Sequence, residues 1–167
     1  VAVLFDLEDT LTGSGYHYSI AEVRSRMRER LIQLGISSSE LEGLSNSLTL
    51  MLNKAYACMS GNATSEEFKA FKESIDDLLE QYWLRSAAES YLKPGAFEAL
   101  EAIKAAGCRL GLVSNASGQD VSIALEKHGL SRLFDCVVSR DKMRMLKPDP
   151  DGILTALGEL HEREFIF

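Results

Sequence analysis

The sequence predicts an α/β protein: a parallel sheet core carrying an all-helical segment inserted after its first strand. Two observations carry this. Beyond Pro94, apolar strand-like runs alternate with segments of helical periodicity, the pattern of parallel strands joined by right-handed crossovers. Between Gly15 and Tyr91, apolar residues recur only at helical spacing. The expected division is therefore a core of residues 1–14 and 92–167 and a helical insertion of residues 15–91. A length of 167 residues suits one domain carrying an insertion.

Each element has its own signal. Val1 to Phe5 is an apolar run without alternation, which reads as a strand buried on both faces. Gly13-Ser14-Gly15 is a flexible break suited to a hinge, with a second hinge expected near Tyr91 to Pro94. Ile20, Val23, Met27, Leu31 and Leu34 keep helical spacing, and Gly35 ends that helix. Leu41, Leu44, Leu48, Leu52 and Ala55 repeat the pattern. Thr64 followed by Glu67 is a capping box, opening a helix whose apolar face is Phe68, Phe71, Ile75, Leu78 and Tyr82. From Ser19 to Lys93 no strand is expected. Pro94 suits the first position of the next helix, with Phe97, Leu100 and Ile103 inward and Gly107 at its end. Cys108 to Val113 reads as a strand leaving through Ser114-Asn115, and Val121, Leu125 and His128 mark a helix stopped by Gly129. Cys136 to Val138 is a short strand, Ile153, Leu154, Leu157 and Leu160 a helix, and Phe165 to Phe167 a further strand. Both chain ends fall inside strand-like runs, so the core is expected to continue beyond them.

Composition narrows the function. Lys and Arg number 18 against 25 Asp and Glu, a formal charge of −7. Without a basic stripe, such a chain repels phosphate backbones, so no nucleic-acid partner is expected. No apolar run approaches the ~20 residues of a membrane span, so no membrane partner is expected either. Cys58, Cys108 and Cys136 are far apart and form no paired ligand motif, which points to reduced thiols and a cytoplasmic protein. Asn62-Ala63-Thr64 and Asn115-Ala116-Ser117 match the glycosylation pattern but carry no weight without a secretory signal.

In open parallel sheets, ligands bind beyond the carboxyl ends of the strands. The polar residues expected there are Asp6 and Glu8 after the first strand, Ser114 and Asn115 after the second, and Lys147 before the last helix. Two acids, a hydroxyl-amide pair and a cation match a metal-bound phosphoryl group: an acid to attack or to hold Mg²⁺, donors for the oxygens, and an ammonium to offset charge. Ordinary turns, caps and solvated side chains are the competing reading of each residue taken alone. Tyr16, His17 and Tyr18 could reach a substrate, although surface or packing roles explain them equally well. His128 reads as a helix-end dipole partner, His161 as solvated, and Tyr82 and Trp83 as core.

With these residues in view, Val3-Leu4-Phe5-Asp6-Leu7-Glu8-Asp9-Thr10-Leu11 resembles the first motif of the haloacid dehalogenase superfamily. Leu112-Val113-Ser114-Asn115 resembles its second motif and Lys147-Pro148-Asp149-Pro150 its third. The helical insertion is similar to the cap of the phosphoglycolate phosphatase and β-phosphoglucomutase subclass, and Tyr91 to Gly95 to the segment returning from that cap. The resemblance implies a Rossmann-like core with a helical cap and a Mg²⁺-dependent phosphatase acting on a small phosphorylated metabolite. Within it, Asp6 is the expected nucleophile and Mg²⁺ ligand, aided by the Glu8 carbonyl, and Glu8 the expected acid and base. Ser114, the Asn115 N–H and Thr10 would bind the phosphoryl oxygens, and Lys147 would neutralise the site. Glu8 stands where the family has a second Asp, and Asp9 where it has Gly. The family's acidic fourth motif would lie beyond Phe167, so weak metal binding is expected from residues 1–167. The alternatives are a phosphomutase, a catalytically silent binding module of the same fold and, against the carboxylate at Glu8, a dehalogenase.

Overall fold

The structure is a computed structural model that describes residues 1–44, 46–61 and 63–167. Asn62 of the first glycosylation pattern lies outside the described residues. The chain divides into two compact units, Val1–His17 with Trp83–Phe167, and Tyr18–Tyr82.

In the first unit, β1 (Ala2–Phe5) is followed by the short β2 (Thr12–Gly13). After the insertion come β3 (Tyr91–Leu92), α4 (Ala96–Ala105), β4 (Arg109–Val113), α5 (Gly118–Lys127), β5 (Cys136–Val138), α6 (Asp151–Leu160) and β6 (Phe165–Ile166). Four parallel strands form one sheet in the order β5-β4-β1-β6. The chain thus steps outward from β1 to β4 and β5, then returns to the other side of β1. That reversal beside β1 is where doubly wound sheets open a crevice.

β4 explains why its run is apolar throughout. Leu110 and Leu112 enter a buried cluster with Leu100 of α4 and Val121 and Leu125 of α5. On the opposite face, a Cβ at Gly111 would stand 3.2 Å from Leu160 of α6, and one at Gly152 of α6 would stand 2.9 Å from Val113. Helices cover both faces, as a parallel sheet requires. Leu154, one of the apolar residues that mark α6, is 63% exposed, because α6 meets the sheet through Gly152, Ala156 and Leu160 at i, i+4 and i+8.

Three other expectations are corrected. Tyr91 and Leu92 are strand, not helix, pairing antiparallel with Gly13 and Thr12. Gly13 and Gly15 mark close approaches rather than a loose break. A Cβ at Gly13 would lie 2.4 Å from the Tyr91 ring, and one at Gly15 2.4 Å from the Glu89 carbonyl, which accepts from the Gly15 N–H at 3.2 Å. Pro94 precedes the helix instead of opening it, because Gly95 takes a left-handed conformation (φ 80°) as the cap of α4.

The second unit holds α1 (Ile20–Gln33), α2 (Leu48–Ser60) and the start of α3 (Ser65–Ala88), which runs on into the first unit. Val23, Met27 and Leu31 of α1, Met51, Leu52 and Tyr56 of α2, and Phe71, Ile75 and Leu79 of α3 are among its buried side chains. The Thr64–Glu67 capping box forms, with the Thr64 N–H donating to Glu67 Oε2 at 2.8 Å and the Glu67 N–H to Thr64 Oγ1 at 3.2 Å. Leu41 and Leu44 lie in turns, not in α2. The Arg28 guanidinium donates to the Leu41 carbonyl (3.1 Å) and to Ser38 Oγ (2.8 Å), holding that stretch out of helix until Ser47 caps α2.

Candidate active site

Asp6 is the first residue beyond β1. Its Oδ1 accepts from the Leu7 N–H at 2.8 Å and meets Lys147 Nζ at 2.6 Å. The same ammonium donates to the Val113 carbonyl at the end of β4, at 2.7 Å. Lys147 therefore ties together the carboxyl ends of two neighbouring strands. Its backbone is held in turn by Asn115: the Lys147 N–H donates to Asn115 Oδ1 (2.9 Å) and Asn115 Nδ2 donates to the Lys147 carbonyl (3.2 Å). Asp6, Thr10, Asn115, Lys147 and Asp149 line a cleft of about 710 Å³ at this edge of the sheet.

Two residues expected at the site do not line that cleft. Ser114 is fully buried; its Oγ accepts from the Ala116 N–H at 3.0 Å and its N–H donates to the Val138 carbonyl at 3.0 Å. Glu8 lies on the tight turn that follows Asp6, where the Leu11 and Thr12 N–H groups both return to the Leu7 carbonyl at 3.0 Å. Glu8 is exposed, yet nearby protein partly desolvates its carboxyl. That desolvation, followed by the negative charges of Asp6, Asp120 and Asp9, raises its pKa above the ordinary carboxylate value, with Lys147 opposing.

Asp9 stands on this turn with φ +59°, in the left-handed region that favours Gly and that Asp tolerates better than most residues. The departure from Gly thus falls where Gly's freedom is useful. The Lys93 ammonium donates to the Asp9 carbonyl, and the Lys93 N–H to the Leu11 carbonyl at 2.9 Å, so β3 fastens the turn.

Three residues around the site were missed from sequence. Lys93 gave no signal beyond its place before Pro94. Asp120 is the third residue of α5, where its Oδ2 accepts from Ser117 Oγ at 2.6 Å in a capping box, and its charge also reaches Glu8. Arg140 is buried, with its guanidinium 4.9 Å from the Trp83 ring and donating to the Asn115 carbonyl at 3.4 Å, while its N–H donates to the Ala116 carbonyl at 2.9 Å. It braces the turn that carries Asn115. Its position in a charged stretch, Arg140-Asp141-Lys142, hid that role.

The donors suit a hard cation. Asp6 Oδ1 is occupied by Leu7 and Lys147, while Oδ2 carries no hydrogen bond from a described residue. With Glu8 nearby, the donor set is oxygen only, which fits Mg²⁺ bound by one or two carboxylates and several waters. No cluster of three His, Cys, Asp or Glu residues suited to a metal occurs among the described residues.

The family described as Haloacid dehalogenase-like hydrolase matches residues 3–164. The phosphoglycolate phosphatase of Cereibacter sphaeroides is 25% identical over 169 residues, covering 99% of this chain and 74% of that protein. Among solved structures, a haloacid dehalogenase-like hydrolase from Bacteroides fragilis superposes with a TM-score of 0.57 at 20% identity, covering 97% of this chain and 73% of that one. A protein from Haemophilus somnus described as a predicted phosphoglycolate phosphatase gives a TM-score of 0.53 at 25% identity, covering 96% and 72%. No described helix is long and apolar enough to cross a membrane.

Proposed function

Because the chain belongs to the haloacid dehalogenase-like hydrolase family, we propose that it is a phosphatase acting on a small phosphorylated metabolite through an aspartyl-phosphate on Asp6. The observation that carries this reading is the Lys147 ammonium on Asp6 Oδ1 in the lining of the cleft, which leaves Oδ2 without a hydrogen bond from a described residue and able to attack phosphorus. Oδ2 attacks in line; an O–P bond forms to Asp6, and the bond from phosphorus to the substrate oxygen breaks. Glu8 gives its proton to the departing oxygen, then takes one from the water that attacks the phosphoryl-aspartate, and inorganic phosphate leaves. Lys147 offsets the charge on Asp6 and on the transferring oxygens. Thr10 and the Asn115 N–H donate to those oxygens, while the buried Ser114 hydroxyl, accepting from the Ala116 N–H, steadies the turn that presents Asn115. Mg²⁺ held by the Asp6 carboxylate and the Glu8 carbonyl would neutralise the phosphoryl oxygens further.

On the same reading, the helical insertion of residues 15–91 is a cap whose closure excludes water during transfer. The acidic charge and the free cysteines suit work in the cytoplasm.

The test is Mg²⁺-dependent phosphate release from a panel of phosphate esters by the full-length protein and its Asp6→Asn variant. The variant should lose ~10³-fold or more of kcat. Retained Mg²⁺-dependent release would refute the nucleophile, and quantitative transfer to a second hydroxyl instead of water would make the enzyme a mutase.

A further inference from the structure

A second cavity, of about 290 Å³, lies wholly within the helical unit and is lined by Ala21, Arg24, Ser25, Arg28, Asn46 and Met51. Its charge is unusual for this chain. Acids outnumber bases overall, 25 to 18, yet no acid lines this cavity and two arginines do. Arg24 and Arg28 are four residues apart on α1, so both guanidinium groups rise on one face of the helix, where like charges repel.

The two have different partners. Arg28 is engaged by neutral oxygens, the Leu41 carbonyl at 3.1 Å and Ser38 Oγ at 2.8 Å, and by no carboxylate among the described residues. Arg24 has no hydrogen-bond or ion-pair partner among the described residues, and its Nε is buried from solvent without one. Their neighbours on α1 are satisfied: Arg26 pairs with Glu22 at 3.1 Å, and Arg30 donates to Ser74 Oγ at 3.3 Å. A buried N–H of a guanidinium left unmatched is costly, and an oxyanion is its natural complement.

We propose that this cavity is an oxyanion site, in which Arg24 binds a carboxylate or phosphate group through its guanidinium fork while Arg28 supplies a second, fixed positive charge. Ser25 and Asn46 offer a hydroxyl and a carboxamide to the remaining oxygens. The planar guanidinium matches both anions in bidentate geometry, and the volume suits one such group with its waters. The ligand is a free anion, so the site does not rest on the phosphatase reading.

Binding is read without catalysis. In full-length protein labelled with ¹⁵N-arginine, titration with inorganic phosphate should move the Arg24 Nε–H resonance saturably. With Arg28 Nε–H as reporter, Arg24→Gln should weaken binding about tenfold or more and Arg24→Lys less. A motionless Arg24 Nε–H, a shift that grows linearly without saturation, or equal affinity in Arg24→Gln overturns the site, whether or not the protein hydrolyses phosphate esters.

Discussion

The ammonium of Lys147 sits 2.6 Å from Asp6 Oδ1 and 2.7 Å from the Val113 carbonyl, joining the ends of two strands that are more than a hundred residues apart in sequence. One side chain thus occupies one oxygen of Asp6 and anchors it to the end of the neighbouring strand. Removing it should affect chemistry more than binding. Lys147→Met is expected to lower kcat by ~10²–10³-fold with a smaller change in KM, measured by steady-state phosphate release. A kcat within about twofold of wild type would exclude Lys147 from charge stabilisation.

Asp9 holds a left-handed conformation at the turn beside the site. Asp9→Gly should relieve about 1 kcal/mol of backbone strain and lose ~0.5 kcal/mol to chain entropy, a net gain of about 0.5 kcal/mol. Asp9→Ala, which keeps a Cβ and gives up the short polar side chain, should lose stability. Urea midpoints of the two variants should therefore move in opposite directions.

His128 ends α5, and its Nε2 lies 3.0 Å from Ser90 Oγ. Burial, with the neighbouring Lys127 charge, holds its pKa below the ordinary 6.5. The unfolded chain therefore takes up a proton before the folded one does. The His128 contribution is fully present above pH 6.5 and is lost as pH falls through the interval below it. Unfolding in urea at about pH 7.5 and about pH 5.5 should show lower stability at the acid end, and His128→Gln should flatten that dependence.

The Cys136 thiol is buried and donates to Glu159 Oε2 at 3.1 Å; burial, with that carboxylate, pushes its pKa up to about 12. At about pH 8 the thiolate fraction is then ~10⁻⁴. Iodoacetamide should leave Cys136 unmodified in the folded protein and label it after denaturation, read by peptide mass spectrometry.

The strands and most helices were legible because their signals are local: the apolar run before Asp6, the Thr64–Glu67 box, the glycines after Leu34, Ala106 and His128. Asp6, Asn115 and Lys147 were legible as strand-end polar residues, and the fold does gather them. What escaped was decided by tertiary partners. Leu41 and Leu44 keep helical spacing, but a guanidinium from another turn holds them out of helix. Tyr91 becomes strand only because Gly13 leaves room for its ring. Ser114 was placed correctly along the chain, yet nothing in its sequence says that its hydroxyl accepts from Ala116. Arg140 is a buried cation whose stacking on Trp83 joins residues too distant in sequence to suggest each other.

The ladder of Thr12–Gly13 with Tyr91–Leu92 has a topological consequence. Everything from Ser14 to Ser90 is formally one oversized hairpin loop, closed at its base by two paired strands. Its contents can be lengthened, shortened or exchanged for another module without shifting the register of β1 against its neighbours. Changes within the loop and changes in the sheet that carries Asp6 are thereby separable.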